Sequence, residues 1–306
     1  MNVQSIKETT IPYYGVSKEE RREKTSVAIN EKDVMKADGG VVYESSRFEG
    51  GLIVSVEGAS VRSTTSNQQL QSRLSSLGFY NGPINGDLST DLSKKAITNF
   101  QKVYGLTANG VVDNTMTNKL NEVNTMYSKL STSTALTNLA SSSKLNLDST
   151  EKQNLAKIWT FFRLGMGLTK NQAAGVCGNL YAESKFSPNN AQDSSYPGDH
   201  NSNYQFSVSD SVGYGLEQWT VESVKTTLKN TASGMGLQVS DLNAQLATFR
   251  KEIESTRTPE WKKVLANSSY SEVSDTFLEQ IEKPTYYNYA ERRAYSKEIY
   301  SALSAF

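Results

Sequence analysis

Apolar residues that recur at helical spacing and stop at a glycine constrain the fold of this 306-residue chain more than any other feature. Residues three or four positions apart share one face of an α-helix, and a glycine just beyond the last of them often marks the helix end. No long stretch alternates apolar and polar residues, so a large sheet is not expected and the chain is predicted to be mainly α-helical. The first two such stretches carry Leu70, Leu74 and Leu77 before Gly78, and Ala96, Ile97, Phe100 and Tyr104 before Gly105.

Capping signals place the starts of three further helices. An aspartate or threonine with a glutamate or glutamine three residues later forms a capping box, in which each side chain binds the other's backbone N–H group. Asp148 with Glu151 and Thr169 with Gln172 have this spacing. A third short helix is expected after Asp113.

The chain is long enough for two or three modest domains. Residues 1–62 form an N-terminal segment of unknown role, which mixes charge runs with a short strand-like stretch at 51–56. The clear helical pattern then defines a first module at 63–127. Residues 128–148 are dense in Ser, Thr, Asn and Leu and suggest a linker or a weakly formed helix. The second domain is expected at 149–306.

Composition excludes several functions. The 32 basic and 32 acidic residues cancel, so bulk charge predicts neither a nucleic-acid partner nor an anionic membrane. A single cysteine, Cys177, and a single histidine, His200, allow no internal disulfide and argue against a zinc site built on several such ligands, so no metal or cofactor is expected. No apolar run indicates a signal peptide or membrane insertion, and synthesis in the host cytoplasm is expected.

Glu183 is the residue whose position first indicates chemistry. It follows Val176 and Leu180 at helical spacing, which predicts a carboxyl group on the buried face near a helix end. Loss of hydration there would raise the pKa of Glu183, and a protonated carboxyl can donate to the leaving oxygen of a glycosidic bond. Spacing alone equally allows a Glu183 that reaches from the edge of the apolar face into water.

Three strings in order along the chain carry a resemblance to a known family. They read GNLYAESKFSP at 178–188, GYGLEQWT at 213–220, and FLEQIEKP at 277–284 with RRAY at 292–295. Together they resemble the lysozyme-like superfamily, in particular the phage tail lysozyme and endolysin family, over roughly residues 151–304. In that family the first string ends a helix and the second lines the sugar groove, so the resemblance implies an α-rich lysozyme-like catalytic domain.

The resemblance also implies roles for residues of the site. Glu183 would be the essential acid, and Tyr214, Gln218 and Trp219 would contact saccharide rings, although core packing explains the two aromatic residues equally well. A second carboxylate, required by some members and not by others, stays open among several candidates. These are Asp193, Asp199, Asp210 and Glu217.

A second resemblance covers Leu70 to Leu120. LQSRLSSLGFYNG at 70–82, INGD at 84–87, AITNFQ at 96–101 and YGLT at 104–107 resemble the three-helix peptidoglycan-binding module of many wall hydrolases. The apolar positions would build its core. Tyr80, Asn81 and Gln101 are the residues that would face the ligand.

These features predict a peptidoglycan glycan-strand hydrolase, an endolysin or muramidase of the lysozyme type that cleaves β-1,4 bonds between N-acetylmuramic acid and N-acetylglucosamine. It would reach the bacterial cell wall after holin-mediated release, or in a phage tail or other contractile assembly bound through residues 1–62. Alternatives are a lytic transglycosylase or glucosaminidase of the same fold, and a non-catalytic wall-binding or tail-structural protein. A cysteine peptidase using Cys177 and His200 is disfavoured, because a lone helical cysteine on an inner face usually has an unreactive thiol.

Overall fold

The computed structural model describes the backbone of residues 43–48, 51–56, 60–192 and 204–306, and the side chains of residues 66–192 and 204–306. The chain divides into two compact units. The first combines residues up to 71 with residues 83–88, and the second combines residues 72–82 with residues 89–306. Asp193, Asp199 and His200 lie outside the described residues.

The first unit contains an antiparallel hairpin and the start of a helix. Strands β1 (Tyr43–Phe48) and β2 (Gly51–Val56) pair from Tyr43 opposite Val56 to Phe48 opposite Gly51. The strand expected at 51–56 is therefore confirmed. Helix α1 (Ser60–Ser76) begins in this unit, and its buried Gln71 accepts a 2.7 Å hydrogen bond from the N–H of Gly86.

Ten further α-helices and two π-helical turns complete the described part of the chain, which is mainly α-helical as the sequence predicted. The helices are α2 (Asp91–Val103), α3 (Asn114–Ser131), α4 (Thr134–Ala140), α5 (Ser149–Thr160), α6 (Lys170–Ser184), α7 (Glu222–Met235), α8 (Leu242–Ser255), α9 (Thr258–Leu265), α10 (Tyr270–Phe277) and α11 (Tyr289–Leu303). The π turns are Phe161–Gly165, after α5, and Leu278–Glu282, after α10.

The predicted helix starts are confirmed in atomic detail. Both capping boxes form, one between Asp148 and Glu151 before α5, the other between Thr169 and Gln172 before α6. Asp113 caps α3 by accepting a 2.8 Å hydrogen bond from the N–H of Met116. Side-chain caps satisfy backbone donors that have no partner inside the helix, and each typically stabilises a protein by about 1 kcal/mol.

Helix α4 lies in the segment where a linker or a weak helix was expected. Ser133 caps it, and the side chains of Leu136 and Leu139 are buried. The following loop is also anchored, because the Tyr181 hydroxyl donates to the carbonyls of Lys144 and Leu145. Residues 134–145 are therefore packed structure rather than a free tether.

Helix α6, which carries Glu183, is buried on nearly every side. It packs against α10 and α11, and glycines make the close approach possible. A Cβ atom on Gly175 would lie 2.6 Å from a methyl carbon of Val273, and one on Gly178 would lie 2.1 Å from the Ser296 hydroxyl oxygen. A helix that is buried all round belongs to the interior of a domain. Val176 and Leu180 are buried as expected, but the burial extends around the helix and is not confined to their face.

Aromatic side chains fill the core beside α6. Phe249 on α8 makes edge-to-face contacts with Phe161, Phe162 and Trp261, with ring centroids 5.2–6.3 Å apart. Such pairs add about 0.5–1.5 kcal/mol each beyond the burial of their area. This core holds the ends of α6, α8 and α10 in place, and the site is built from those ends. None of the helices in the described residues has the length and apolar content that crossing a bilayer requires.

Candidate active site

Glu183 lies in the last turn of α6, half-buried, where the chain leaves the helix through an unusual turn. Lys185 and Phe186 both adopt left-handed backbone conformations, with φ of 52° and 64°. Consecutive non-glycine residues in this region are strained, and surrounding contacts must hold them. The Asn154 side chain donates a 3.0 Å hydrogen bond to the carbonyl of Phe186, and Asn190 donates to the carbonyl of Glu183.

Arg292 on α11 holds the Glu183 carboxylate. Its guanidinium donates to Oε1 of Glu183, to Oδ1 of Asn179 at 3.1 Å, and to Oδ1 of Asn288 at 2.9 Å. Asn179 is itself fixed by the backbone and hydroxyl of Ser274. The expected apolar setting of Glu183 is therefore corrected. The side chain meets a buried arginine that comes from 109 residues further along the chain.

A tight turn from Gly213 to Trp219 lies against the end of α6. Tyr214 and Trp219 exchange backbone hydrogen bonds of 3.2 and 3.0 Å. Gly215 has a φ of +79°, and a Cβ atom there would lie 2.6 Å from the Gln245 side chain, so the position requires glycine. The Ser184 hydroxyl donates a 3.0 Å hydrogen bond to the carbonyl of Leu216, which ties this turn to the residue after Glu183.

Glu217 is a buried acid inside this turn. Its Oε2 accepts a 2.8 Å hydrogen bond from the Trp219 indole, and the residue is only 8% exposed. Burial raises the pKa of Glu217 to about 8, the charges of Glu252 and Glu183 act in the same direction, and Arg257 opposes them. Glu217 therefore keeps its proton at neutral pH.

Two further glutamates share this environment. Burial raises the pKa of Glu282 well above its usual range, and the negative charges of Glu183 and Glu217 add to the effect, whereas Arg292 and Arg257 oppose it. Burial also raises the pKa of Glu252 on α8. Glu183 is thus close enough to Glu217 and Glu282 for its charge to act on both. The centre holds one ion-paired carboxylate beside carboxyl groups whose pKa values are raised by burial.

A groove of about 570 Å³ opens beside these carboxyl groups. Glu252, Arg257 and Glu282 line it, and a smaller cavity lined by Glu217, Gln218 and Trp219 shares its Arg257 and Glu282 walls. The remaining wall of the groove is rich in hydroxyl groups, which suit hydrogen bonding to sugars. They belong to Thr220, Ser223, Thr227, Ser255 and Thr256.

The residues expected to bind sugar lie in different surroundings. Gln218 is half-buried, has a φ of +48°, and donates a 2.9 Å hydrogen bond to the carbonyl of Gly215. Trp219 borders the smaller cavity but is only 5% exposed. Tyr214 is buried in a cluster with Ala191 and Leu228. In this structure Gln218 is the most accessible of the three.

Asp210, another candidate for the second carboxylate, is occupied in an ion pair with the fully buried Lys225. Lys225 also donates to the Tyr204 hydroxyl at 3.1 Å and to the carbonyl of Val212 at 3.0 Å. The hydrogen bond from Lys225 is the main cause that lowers the pKa of Asp210. These contacts anchor residues 204–212 to α7.

Gln101, predicted to face the ligand of the first module, is an internal residue. It is 2% exposed and binds the loop at 109–111 through the N–H of Gly110 and the carbonyl of Val111. Tyr80 and Asn81 line a small cavity of about 180 Å³. Cys177 is fully buried on α6, and burial raises the pKa of its thiol, which disfavours a nucleophilic role.

Sequence reasoning assigned no role to Arg292, Glu282 or Gln245. Gln245 is fully buried on α8 and binds the N–H of Leu216 at 2.9 Å. Arg292 and Glu282 lie in the third of the three strings that resemble the lysozyme family, so the sequence already marked this region. The ion pair of Arg292 with Glu183, and the effect of the Glu183 charge on Glu282, arise only when α6, α11 and the second π turn come together.

Comparison with known families agrees with the two regions of the structure. Residues 153–303 match the phage tail lysozyme family, and residues 65–120 match a peptidoglycan-binding domain. None of the curated proteins matches the chain. The lysozyme match contains Glu183, the turn at 213–219, Glu282 and Arg292.

Proposed function

We propose that this chain, which joins a peptidoglycan-binding domain at 65–120 to a phage tail lysozyme domain at 153–303, cuts the glycan strands of bacterial peptidoglycan. The two domains together support a role in cell-wall hydrolysis or binding. The finer proposal is a muramidase that cleaves β-1,4 bonds between N-acetylmuramic acid and N-acetylglucosamine, with Glu183 as the acid.

The observation that carries this proposal is the setting of Glu183. A strained helix end, Arg292 and the Gly213–Trp219 turn hold its carboxyl group close enough to Glu282, which lines the hydroxyl-rich groove, for its charge to raise the pKa of Glu282. A domain that only binds the wall has no need to hold an acid in this way. Glu217 and Glu282, near Glu183, are buried acids with raised pKa values, and such groups beside a cleft are typical of catalytic sites.

In the proposed reaction the sugar strand lies in the groove and Glu183 donates a proton to the leaving glycosidic oxygen. Before that step Glu183 must take up a proton and exchange its contact with Arg292 for one with the sugar. Arg292 orients the carboxyl group until then. Burial of the groove by the strand strengthens these electrostatic interactions, because water is excluded.

The attacking group distinguishes hydrolysis from transglycosylation. A hydrolase uses water, activated in some enzymes by a second carboxylate, whereas a transglycosylase uses the sugar's own hydroxyl group. Burial raises the pKa of Glu217 to about 8 and that of Glu282 well above its usual range, which disfavours the ionised form that a general base requires. We propose hydrolysis in which the positioned acid Glu183 contributes most of the catalysis.

The proposal is tested by the release of reducing sugar ends from purified peptidoglycan. Glu183→Gln should lower the rate by about 100-fold or more, because general acid catalysis contributes about 10²–10⁴-fold. Glu222→Gln, which alters an exposed glutamate at the start of α7, should stay within about twofold of the wild type. A wild-type protein that binds peptidoglycan without releasing any sugar ends would instead support the binding role.

We also propose that the chain reaches the wall as part of a phage tail, which the name of the matched family favours. Fractionation of a phage lysate tests this. The chain should sediment with assembled tails. Its presence only among free proteins would support release through a holin instead.

A further inference from the structure

Glu282 combines a position in the wall of the groove with an unused hydrogen-bonding atom. It ends the second π turn and lines both the groove and the smaller cavity. Within the described residues, its Oε1 is buried and has no hydrogen-bond partner. Buried polar atoms without partners are rare in native proteins because each costs about 1–3 kcal/mol. A group kept in this state next to a groove indicates a ligand.

The backbone around Glu282 is itself unusual. The π turn at Leu278–Glu282 is followed by Lys283 in a left-handed conformation, with a φ of 50°. Single π turns and strained residues are often found at functional sites. Arg257 fixes this turn by donating a 2.6 Å hydrogen bond to the carbonyl of Ile281. The fold therefore holds Glu282 in position at an energetic cost.

Glu217 provides a second observation of the same kind. It is more than nine-tenths buried and lines the smaller cavity, and its Oε1 likewise has no partner within the described residues. Its other oxygen is already used by the Trp219 indole. Two separate elements thus direct a free carboxyl oxygen to the same part of the site.

We propose that Glu282 is a substrate-contacting residue of the groove, where its free Oε1 forms a hydrogen bond with a hydroxyl or N-acetyl oxygen of the bound sugar. This inference rests on the proposed glycan substrate. Burial raises the pKa of Glu282 well above its usual range, which favours the neutral carboxylic acid, the form that can donate to oxygen acceptors. Peptidoglycan sugars present such acceptors on both saccharide units.

The charged groups that face Glu282 come from several elements, and they determine its pH response. Glu183 and Glu217 raise the pKa of Glu282, and Arg292 and Arg257 lower it. Glu260 on α9 and the neighbouring Lys283 line the same groove. Above the pH at which Glu282 ionises it can no longer donate, so a hydrogen bond to an N-acetyl oxygen, which can only accept, is lost.

The test measures binding of a tetrasaccharide of alternating N-acetylglucosamine and N-acetylmuramic acid by calorimetry. Glu183→Gln serves as the background, so that no turnover occurs. Adding Glu282→Met should weaken binding about five- to tenfold, whereas Glu282→Gln, which can still donate, should bind within about twofold of the background. Glu279→Met, at an exposed position of the same π turn, is the matched control and should not change binding.

The pH dependence keeps the test decisive if Glu282→Met fails to fold. Affinity in the background protein should fall as the pH rises and Glu282 ionises, and Glu282→Gln should remove part of this fall, because it removes one titrating group. Unchanged binding by a folded Glu282→Met, or identical pH profiles with and without Glu282→Gln, would overturn the proposal. Failure of the wild type to release sugar ends would instead overturn the proposed function.

Discussion

At the scale of single residues, the site depends on the ion pair between Glu183 and Arg292 and on buried carboxyl groups whose pKa values are raised. Arg292 contacts Glu183, Asn179 and Asn288 through three of its nitrogen atoms. A planar guanidinium can do this with one fixed orientation, whereas an ammonium group cannot. Arg292 is therefore best described as a positioning residue for Glu183.

Arg292→Lys should lower kcat about 100-fold while KM changes less than about threefold, because a small misplacement of the acid affects the chemical step more than sugar binding. Steady-state kinetics on solubilised glycan strands measure both constants. Arg293→Lys is the matched control, since Arg293 forms an exposed ion pair with Asp275. A rise in KM alone would contradict the positioning role.

Stability should fall as the pH rises from about 5 to 8. The folded protein holds a proton on Glu217 up to a pKa of about 8, whereas the unfolded chain releases it near the ordinary value of 4.5. Stability from this group is complete below the lower value and is lost as the pH approaches the upper one, with a slope of about 1.4 kcal/mol per pH unit for each proton. Glu252 and Glu282 act in the same direction.

Urea unfolding at a series of pH values measures this slope. Glu217→Gln keeps an acceptor for the Trp219 indole and removes the titration, so its slope should be shallower than that of the wild type. Equal slopes for the two proteins would contradict the raised pKa of Glu217.

At the scale of elements, the close packing of α6 against α10 and α11 determines where Glu183 and Arg292 meet. Gly175 and Gly178 leave no room for a side chain at these crossings. Their role is steric, because neither has the positive φ that would require glycine for conformational reasons. Any widening between α6 and α11 would separate the acid from its arginine.

Gly178→Ala should destabilise the protein by about 2–3 kcal/mol, because the added Cβ atom meets the hydroxyl and backbone nitrogen of Ser296. Gly234→Ala provides the control. Gly234 lies in α7, and a Cβ atom added to it would have no neighbour within 4 Å, so the substitution should stabilise by about 0.5–1 kcal/mol. Thermal unfolding distinguishes the two. Equal stability of both variants would contradict the packing account.

Local signals explain why many elements could be predicted from the sequence. The capping boxes at Asp148 and Thr169 and the cap at Asp113 depend on residues within one turn, and all three formed as expected. The setting of Glu183 depends on Arg292, which is distant in sequence, and helical spacing carries no information about it. The free oxygen of Glu282 likewise results from tertiary packing.

At the scale of the whole molecule, the helix α2 of the peptidoglycan-binding domain is joined to the lysozyme domain by specific contacts. Arg250 on α8 donates a 2.9 Å hydrogen bond to the carbonyl of Val103 and a 2.6 Å one to that of Gly165. The Asn99 side chain donates to the carbonyl of Met235 at 2.9 Å. These buried and partly buried contacts predict that the two regions unfold together.

Calorimetry should therefore record one cooperative transition for α2 and the lysozyme domain. Arg250→Met removes both hydrogen bonds and should lower its midpoint by roughly 5–10 °C. Lys229→Met, at an exposed position of α7, should leave it unchanged. Two separate transitions in the wild type would show that the domains are energetically independent.

The central claim, that Glu183 drives cleavage of the glycan strand, is tested most directly by mass spectrometry of the fragments released from purified peptidoglycan. The wild type should release muropeptides with reducing N-acetylmuramic acid ends, and Glu183→Gln should release none above background. Anhydro ends would indicate transglycosylation, and reducing N-acetylglucosamine ends would indicate the other β-1,4 bond. Cuts confined to the peptide stems, or glycan fragments that persist with Glu183→Gln, would contradict the account.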